Sequence, residues 1–192
     1  MTQDRQADLS IVIVNWNTQK LLREVLQSVH ETLSGITAEV IVIDNGSTDG
    51  SPEMMARAFP EVTLICNTQN RGFAAANNQG FEIARGRHVL LLNSDTVILG
   101  DVLAASVRYL DNHPQVGAMG CRVLNTDRTM QRTCSLFPGP LNMLLLTSGL
   151  WTLQRPAALH AVFGRYQMMD WARDSERDVE VVSGCYLMLR CE

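Results

Sequence analysis

The chain has 192 residues, of which 46% are hydrophobic, 19% charged and 6% aromatic, and its formal net charge is −4. These proportions suit one ordinary globular domain with enough apolar material for a core. No strongly basic stretch stands out, which argues against a dedicated nucleic-acid binder, because phosphate contacts need clustered positive charge.

The opening segment Met1 to Ala7 is polar and lacks the charged-then-apolar order of a secretory signal, so no export is expected. The first strand is predicted at Leu9-Ser10-Ile11-Val12-Ile13-Val14, followed at Val40 to Ile43, Val62 to Ile65 and His88 to Leu92 by three more runs that are apolar on both faces. Continuous apolar runs of this length read as buried parallel strands. Between the first two, Leu21, Leu22, Val25, Leu26, Val29 and Leu33 fall on one helical stripe, with Asn17 or Thr18 as the expected cap. Ser51-Pro52-Glu53 opens the next helix with a cap, a first-turn proline and an acid near the positive end of the dipole. A third helix is predicted from about Phe73 to Ala84, and a fourth from Asp101 to Asn112, where Pro114 stops it. This alternation demands right-handed crossovers and a mostly parallel sheet covered on both faces, an α/β fold.

A further strand is expected at Val116 to Cys121. Residues 123–177 mix polar loops with the Phe137-Pro138-Gly139-Pro140 breaker and receive no firm assignment. The apolar run Leu141 to Leu153 contains Asn142, Thr147 and Ser148 and is too short to span a bilayer, so it reads as a core or interfacial helix. An exposed apolar surface from Leu141 to Trp151 could face a membrane. The acidic run Asp170 to Glu180, interleaved with Arg173 and Arg177, reads as a solvated loop leading into a strand over Val179 to Leu189, around Ser183-Gly184. No linker composition divides the chain, so residues 1–192 are expected to form a single domain.

Open parallel sheets bind ligands beyond the carboxyl ends of their strands. Here the four strands are followed by Asn15-Trp16-Asn17, by Asp44-Asn45-Gly46-Ser47-Thr48-Asp49, by Asn67 to Gly72, and by Asn93-Ser94-Asp95. Each loop alone reads as ordinary turn and cap chemistry; together they deliver amides, carboxylates, an arginine and an indole to one edge. Asn70-Arg71-Gly72 precedes a helix N-terminus, where free N–H groups favour a phosphate and Arg71 can add a charge-assisted contact. Asp95 closes an apolar strand, a position that suits a divalent ion bridging a carboxylate and a diphosphate, or else a helix cap, although Asp101 is the closer cap candidate. Asn77 lies on the Phe73-Asn77-Phe81 stripe and should point inward, to tie down a loop or meet a ligand. Trp16 can stack on a base or belong to the core, and Asp44 or Asn45 can bond a pyrimidine edge.

There is no G-x-G-x-x-G, Walker A lysine, H-E-x-x-H or G-x-S-x-G, and Lys20 is the only lysine. His30, His88, His113 and His160 show no ligand spacing. Cys66, Cys121, Cys134, Cys185 and Cys191 form no C-x-x-C pair and lie mostly in apolar runs, as reduced cysteines of a cytoplasmic protein do.

The blocks Ser10 to Asn17, Val42 to Gly50, Asn70 to Asn78 and Leu91 to Thr96, in order within residues 9–122, resemble the GT-A glycosyltransferases of family 2, and among them the bacterial rhamnosyltransferase-like branch. Val182-Ser183-Gly184-Cys185 and Leu187 to Arg190 are similar to the family's later strand, near donor and acceptor. The resemblance implies a nucleotide-sugar-binding half over 9–122 and a partial acceptor-side half over 123–192. It implies that Trp16, Asp44 and Asn45 hold base and ribose, that Arg71 lies near the diphosphate, and that Asp95, the last residue of a motif whose first position here is Asn93, binds Mg2+ or Mn2+. The candidate nucleotide-sugar set is Asn15, Trp16, Asn17, Asp44, Asn45, Ser47, Arg71, Asn77, Asn93 and Asp95.

The implied reaction is an inverting transfer of a sugar, rhamnose among the candidates, from a UDP- or dTDP-sugar to a cell-surface polysaccharide or lipid-linked acceptor. Family members carry a later acidic motif that supplies the general base, and none matches between Val123 and Glu192, so the base is expected beyond Glu192. The implied setting is the cytoplasm, with peripheral contact at the inner face of the membrane and a homodimer as further expectations. Two alternatives stay open: a nucleotidyltransferase, whose glycine- and lysine-rich first loop Asn15-Trp16-Asn17 does not match, and a non-catalytic nucleotide-binding or scaffolding module.

Overall fold

The computed structural model describes residues 7–149 and 157–191, which fall into two compact units: one ends at Cys121 and resumes at Gly184, and the other is Arg122–Ser183. The first unit runs β1 (Ala7–Asn15), α1 (Gln19–Thr32), β2 (Ala38–Asp44), α2 (Ser51–Ala58), β3 (Thr63–Cys66), α3 (Phe73–Ile83), β4 (Gly86–Asn93), α4 (Val102–Asn112) and β5 (Ala118–Met119). The second holds β6 (Val123–Leu124), β7 (Met130–Gln131), β8 (Cys134–Ser135), α5 (Pro140–Ser148), α6 (Ala157–Tyr166) and β9 (Val181–Val182), and β10 (Tyr186–Arg190) returns to the first.

The main sheet has six strands in the order β3-β2-β1-β4-β10-β5. β1 to β4 pair in parallel, and β10 runs antiparallel to both β4 and β5. The mostly parallel α/β architecture expected from the alternation is therefore present. Alternate residues of the central strands feed two cores. Leu9, Ile11 and Ile13 pack with Leu22, Val25 and Val29 of α1, Met55 of α2, and Leu103, Val107 and Leu110 of α4. Val12, Ile41, Ile43, Val89 and Leu91 pack on the other face against Ala76 and Phe81 of α3. Burial on both faces is why these strands lack polar alternation.

α3 approaches β1 closely at Gly80, where an added Cβ would stand 2.4 Å from Cγ1 of Val12. No larger residue fits that contact without moving the helix or the strand.

Several local expectations are corrected. Leu21 is exposed and Leu33 lies just past the last turn of α1, because the stripe facing the core is only as wide as the sheet it covers. Thr18 occupies the cap position of α1 without a side-chain capping bond, and Gly50, with φ of +83°, replaces Ser51 as the cap of α2. β3 is an edge strand whose residues are half-buried or exposed, so its apolar run did not mean burial on both faces. The strand expected over Val116 to Cys121 shrinks to two paired residues. The one expected over Val179 to Leu189 breaks at Ser183-Gly184-Cys185: β9 pairs with β8, whereas β10 pairs with β4.

In the second unit, β6 and β7 form a hairpin closed by Asp127, whose Oδ1 accepts from the Thr129 amide and hydroxyl at 2.9 and 2.6 Å. The segment read as a solvated loop contains Arg173, which is buried and donates to the carbonyls of Met168, Trp171, Cys134 and Gln167. A planar guanidinium with five donors can gather several carbonyls that no regular element pairs. α5 exposes Leu141, Met143 and Leu144 and buries Leu145; Leu150 and Trp151, the end of the expected apolar surface, lie outside the described residues. No described helix is long and apolar enough to cross a membrane.

Gly80→Ala is expected to destabilise the chain by about 1–3 kcal/mol through overpacking against Val12. Urea unfolding should show a lower midpoint at unchanged slope.

Candidate functional site

The chain moves from β1 outward through β2 to β3 and then crosses back to place β4 on the other side of β1. That reversal makes a topological switch point between β1 and β4, and the carboxyl ends of the strands beside such a point are where open α/β sheets bind ligands. Register brings the strand ends level: Asn15 pairs with Asp44, and Val14 with Asn93.

Asn15 and Asp44 are buried, and Asn15 Nδ2 donates to Asp44 Oδ1 at 2.8 Å. The other Asp44 oxygen accepts the Ser47 amide at 2.9 Å, and Asn15 Nδ2 also reaches the Ser47 hydroxyl at 3.1 Å. Thr18 completes the join by donating to Asn15 Oδ1 at 2.6 Å and lying 3.0 Å from the Ser94 hydroxyl at the end of β4. Buried carboxylate and amide groups are tolerable because their lone pairs and protons meet partners.

Asn45, equally buried, shapes the loop after β3. Its Oδ1 accepts the Arg71 amide at 3.0 Å and Asn67 Nδ2 at 3.2 Å, while its Nδ2 donates to Asn70 Oδ1 at 2.8 Å. Asn67 and Gln79 exchange amide bonds at 2.8 and 3.0 Å, which anchors the same loop to α3. Gly46, with φ of +80°, lies where a Cβ would stand 2.9 Å from the Gln69 backbone, so only glycine lets the two loops touch.

Asn17 adopts φ of +54°, its amide donates to the Ser47 hydroxyl at 2.9 Å, and its Oδ1 accepts the Thr48 amide at 2.8 Å. Asp49 caps two helices at once, accepting the Gln19 amide of α1 at 2.8 Å and the Ser51 amide of α2 at 3.0 Å. Its partial desolvation is outweighed by hydrogen bonds from the Ser51 hydroxyl and from the Gln19 and Ser51 amides, which hold the carboxyl below its ordinary value of 3.8.

Against this buried frame stand the exposed groups. Trp16 is 54% exposed, so it is not a core residue. Arg71 and Asp95 are exposed and Asn93 half-buried, and none of these side chains has a hydrogen-bond or ion-pair partner among the described residues. Among the described residues no side chain bonds the first amides of α3, whose cap position is Gly72; Asn70 Oδ1 accepts only the Gly72 amide there, at 2.8 Å. Asn77 points inward, as its stripe predicts, but its Nδ2 donates at 2.9 Å to the Phe73 carbonyl of its own helix. The structure therefore brings Asn15, Asn17, Asp44 and Ser47 into one side-chain network, joins Asn45 to it through the Asn45 amide on the Asn15 carbonyl at 2.7 Å, sets Trp16, Arg71, Asn93 and Asp95 around the strand ends, and places Asn77 inside α3. Sequence reasoning places Asp49, Asn67, Asn70 and Ser94 in the strand-end loops and Thr18 at a cap without giving their side chains a bonding role, and it misses Gln79, which lies inside α3.

Among the described residues no three His, Cys, Asp or Glu side chains gather to hold a metal alone. A single unpartnered carboxylate such as Asp95 suits a hard cation that keeps its waters and shares a phosphate ligand.

Residues 10–162 match Glycosyl transferase family 2. The succinoglycan biosynthesis protein ExoO of Rhizobium meliloti is 32% identical over 109 residues, which is 56% of this chain and 31% of that protein. An uncharacterized glycosyltransferase of Haemophilus influenzae is 34% identical over 110 residues, 55% of this chain and 43% of that one. Among solved structures, the mannosyltransferase PcManGT of Pyrobaculum calidifontis, in complex with GDP-Man and Mn2+, superposes with a TM-score of 0.55 at 30% identity, covering 62% of this chain and 36% of that one. TarS 1-349 of S. aureus in complex with UDP-GlcNAc shares the fold at 21% identity, with a TM-score of 0.56 over 66% of this chain and 37% of that one. The chain thus spans less than half the length of each of these four proteins.

Asn45→Ala is expected to free the loop after β3, with the Arg71 amide exchanging about tenfold faster in a hydrogen-exchange measurement. Asp49→Ala should cost about 1 kcal/mol at neutral pH. Because the folded carboxyl lies below 3.8, its contribution is present above that value and lost as pH falls through the folded one. The stability gap between wild type and Asp49→Ala, followed by urea unfolding, should therefore close on acidification.

Proposed function

The chain belongs to glycosyl transferase family 2, and from that premise we propose that it binds a nucleotide-diphosphate sugar at the carboxyl ends of β1, β2 and β4 and takes part in inverting transfer of the sugar to a saccharide or lipid-linked acceptor. The observation that carries this reading is the pairing of a fully bonded polar frame with the unpartnered, exposed side chains of Trp16, Arg71 and Asp95 around it.

In this reading the indole of Trp16 stacks on the base, and Asp44 and Asn45 fix the base edge and ribose while holding the loops in place. Asn15, Asn17 and Ser47 set the depth of the crevice. Arg71 and the uncapped start of α3 face the diphosphate, whose negative charge suits both the guanidinium and the helix dipole. Asp95, with Asn93 beside it, would hold Mg2+ or Mn2+ together with the diphosphate. Such an ion supplies neutralisation of the charge that grows on the leaving group. The acceptor hydroxyl must lose a proton to a carboxylate base as it attacks the anomeric carbon, and we place that base outside the residues assigned here.

UDP- and dTDP-sugars are the proposed donors and the rhamnosyltransferase-like branch the proposed kinship; the GDP-Man complex of PcManGT makes GDP the third base to test. The likeness to ExoO, a succinoglycan biosynthesis protein, supports a polysaccharide acceptor, and a cytoplasmic site of action fits that assembly.

Thermal-shift titration with UDP, dTDP and GDP, each with and without Mn2+ or Mg2+, tests the reading. One nucleotide at about a hundred times its dissociation constant should add about 2.7 kcal/mol, on the order of 5–10 °C for a chain this size. Asp95→Asn should remove the metal-dependent part of that shift and keep the rest. Absence of a shift with all three nucleotides sinks the reading.

A further inference from the structure

Phe73 is the first residue of α3, two positions after Arg71, and it is 54% exposed although it is a large apolar side chain. The far end of its ring has a defined place. Its Cε1 and Cζ lie 3.8 and 4.0 Å from where a Cβ on Gly184 would stand, so the ring stands beside a position that glycine leaves without a side chain. The next residue, Cys185, accepts the Asn93 amide through its carbonyl at 3.1 Å. The ring thus reaches from the helix start beside Arg71 to the segment bonded to the end of β4, where Asn93 and Asp95 stand. Gly184 offers no side chain to cover it.

A single exposed apolar residue ordinarily calls for no explanation. This one starts α3 two residues after the group assigned to the diphosphate, and its ring reaches the segment bonded to Asn93, two residues before the group assigned to the metal. A sugar ring attached to that diphosphate carries hydroxyls at its rim and an apolar C–H face, and an aromatic ring is the surface that face can cover without leaving a polar group unbonded.

We propose that Phe73 is a specificity-determining residue that packs against the sugar ring of the nucleotide-diphosphate sugar. The inference rests on the nucleotide-sugar reading above and adds which side chain senses the sugar as distinct from the nucleotide. Trp16 meets the base at the end of β1, and Phe73 meets the sugar at the start of α3.

The test compares dissociation constants of the full chain, with Mn2+ present, for UDP against UDP-GlcNAc, for dTDP against dTDP-glucose and for GDP against GDP-mannose, in wild type, Phe73→Ala, Phe73→Leu and Phe73→Tyr. Phe73→Ala and Phe73→Leu should each weaken the nucleotide sugar by about five- to tenfold and leave the matching free diphosphate within about twofold. Phe73→Tyr should keep the wild-type ratio. Leucine keeps a large apolar side chain at the start of α3, so a poorly folded alanine variant leaves the leucine comparison decisive. Equal losses for sugar and diphosphate, or no loss in either, overturn the assignment of Phe73 while the nucleotide site stands. A wild-type chain that binds none of the three diphosphates overturns the nucleotide-sugar reading and this proposal with it.

Discussion

The hydrogen bond from Asn15 to Asp44, 2.8 Å long and closed to water, is the contact on which the strand-end face depends. Parallel strands deliver their last residues to one level, but nothing in a backbone ladder keeps the following loops from splaying apart. Here a carboxylate at the end of β2 accepts hydrogen bonds from the end of β1 and from its own loop at Ser47. Neither side chain can leave without stranding a polar partner out of water, and that asymmetry fixes the crevice more firmly than the net worth of either bond. Thr18 and Ser94 extend the same join to β4, and Asn45 extends it to the loop before α3.

Rigidity and chemistry are thereby assigned to different residues. The frame consumes the hydrogen-bonding capacity of its own members, leaving Trp16, Arg71 and Asp95 to look outward from fixed positions. A bonded support that leaves its reactive neighbours unbonded is the arrangement expected of a preorganised site, where the reorganisation cost has been met during folding. Asp49 carries the same logic into the helices, since a single carboxylate from the loop after β2 fixes the starts of both α1 and α2.

Much of this was legible in the sequence because the sheet is buried on both faces. The unbroken apolar runs at Ile11 to Val14 and Val89 to Leu92 can satisfy their surroundings only as interior strands, and the polar loops after them had to share an edge. Legibility failed where a side chain acts at long range. Asp49 reads as a local turn residue, yet it caps α1 from a different loop. Leu64 and Ile65 have the same composition as interior residues but lie on the edge strand β3. The second unit was opaque because its strands are two residues long and carry no period, and because Arg173 gathers its carbonyls through a side chain, as periodicity cannot show.

β10 bears on the order in which the molecule assembles. The first four strands and their helices are contiguous in sequence and can form by local crossovers, but the partner that β4 needs on its other side arrives only after the whole of Arg122–Ser183 has been traversed. Long-range antiparallel closure is slow compared with local pairing. During synthesis, then, the Asn15–Asp44 frame can set while the backbone at Asn93 still lacks the Cys185 carbonyl. The edge formed by β1 and β2 matures first, and the side bearing Asp95 is the last part of the sheet to become rigid.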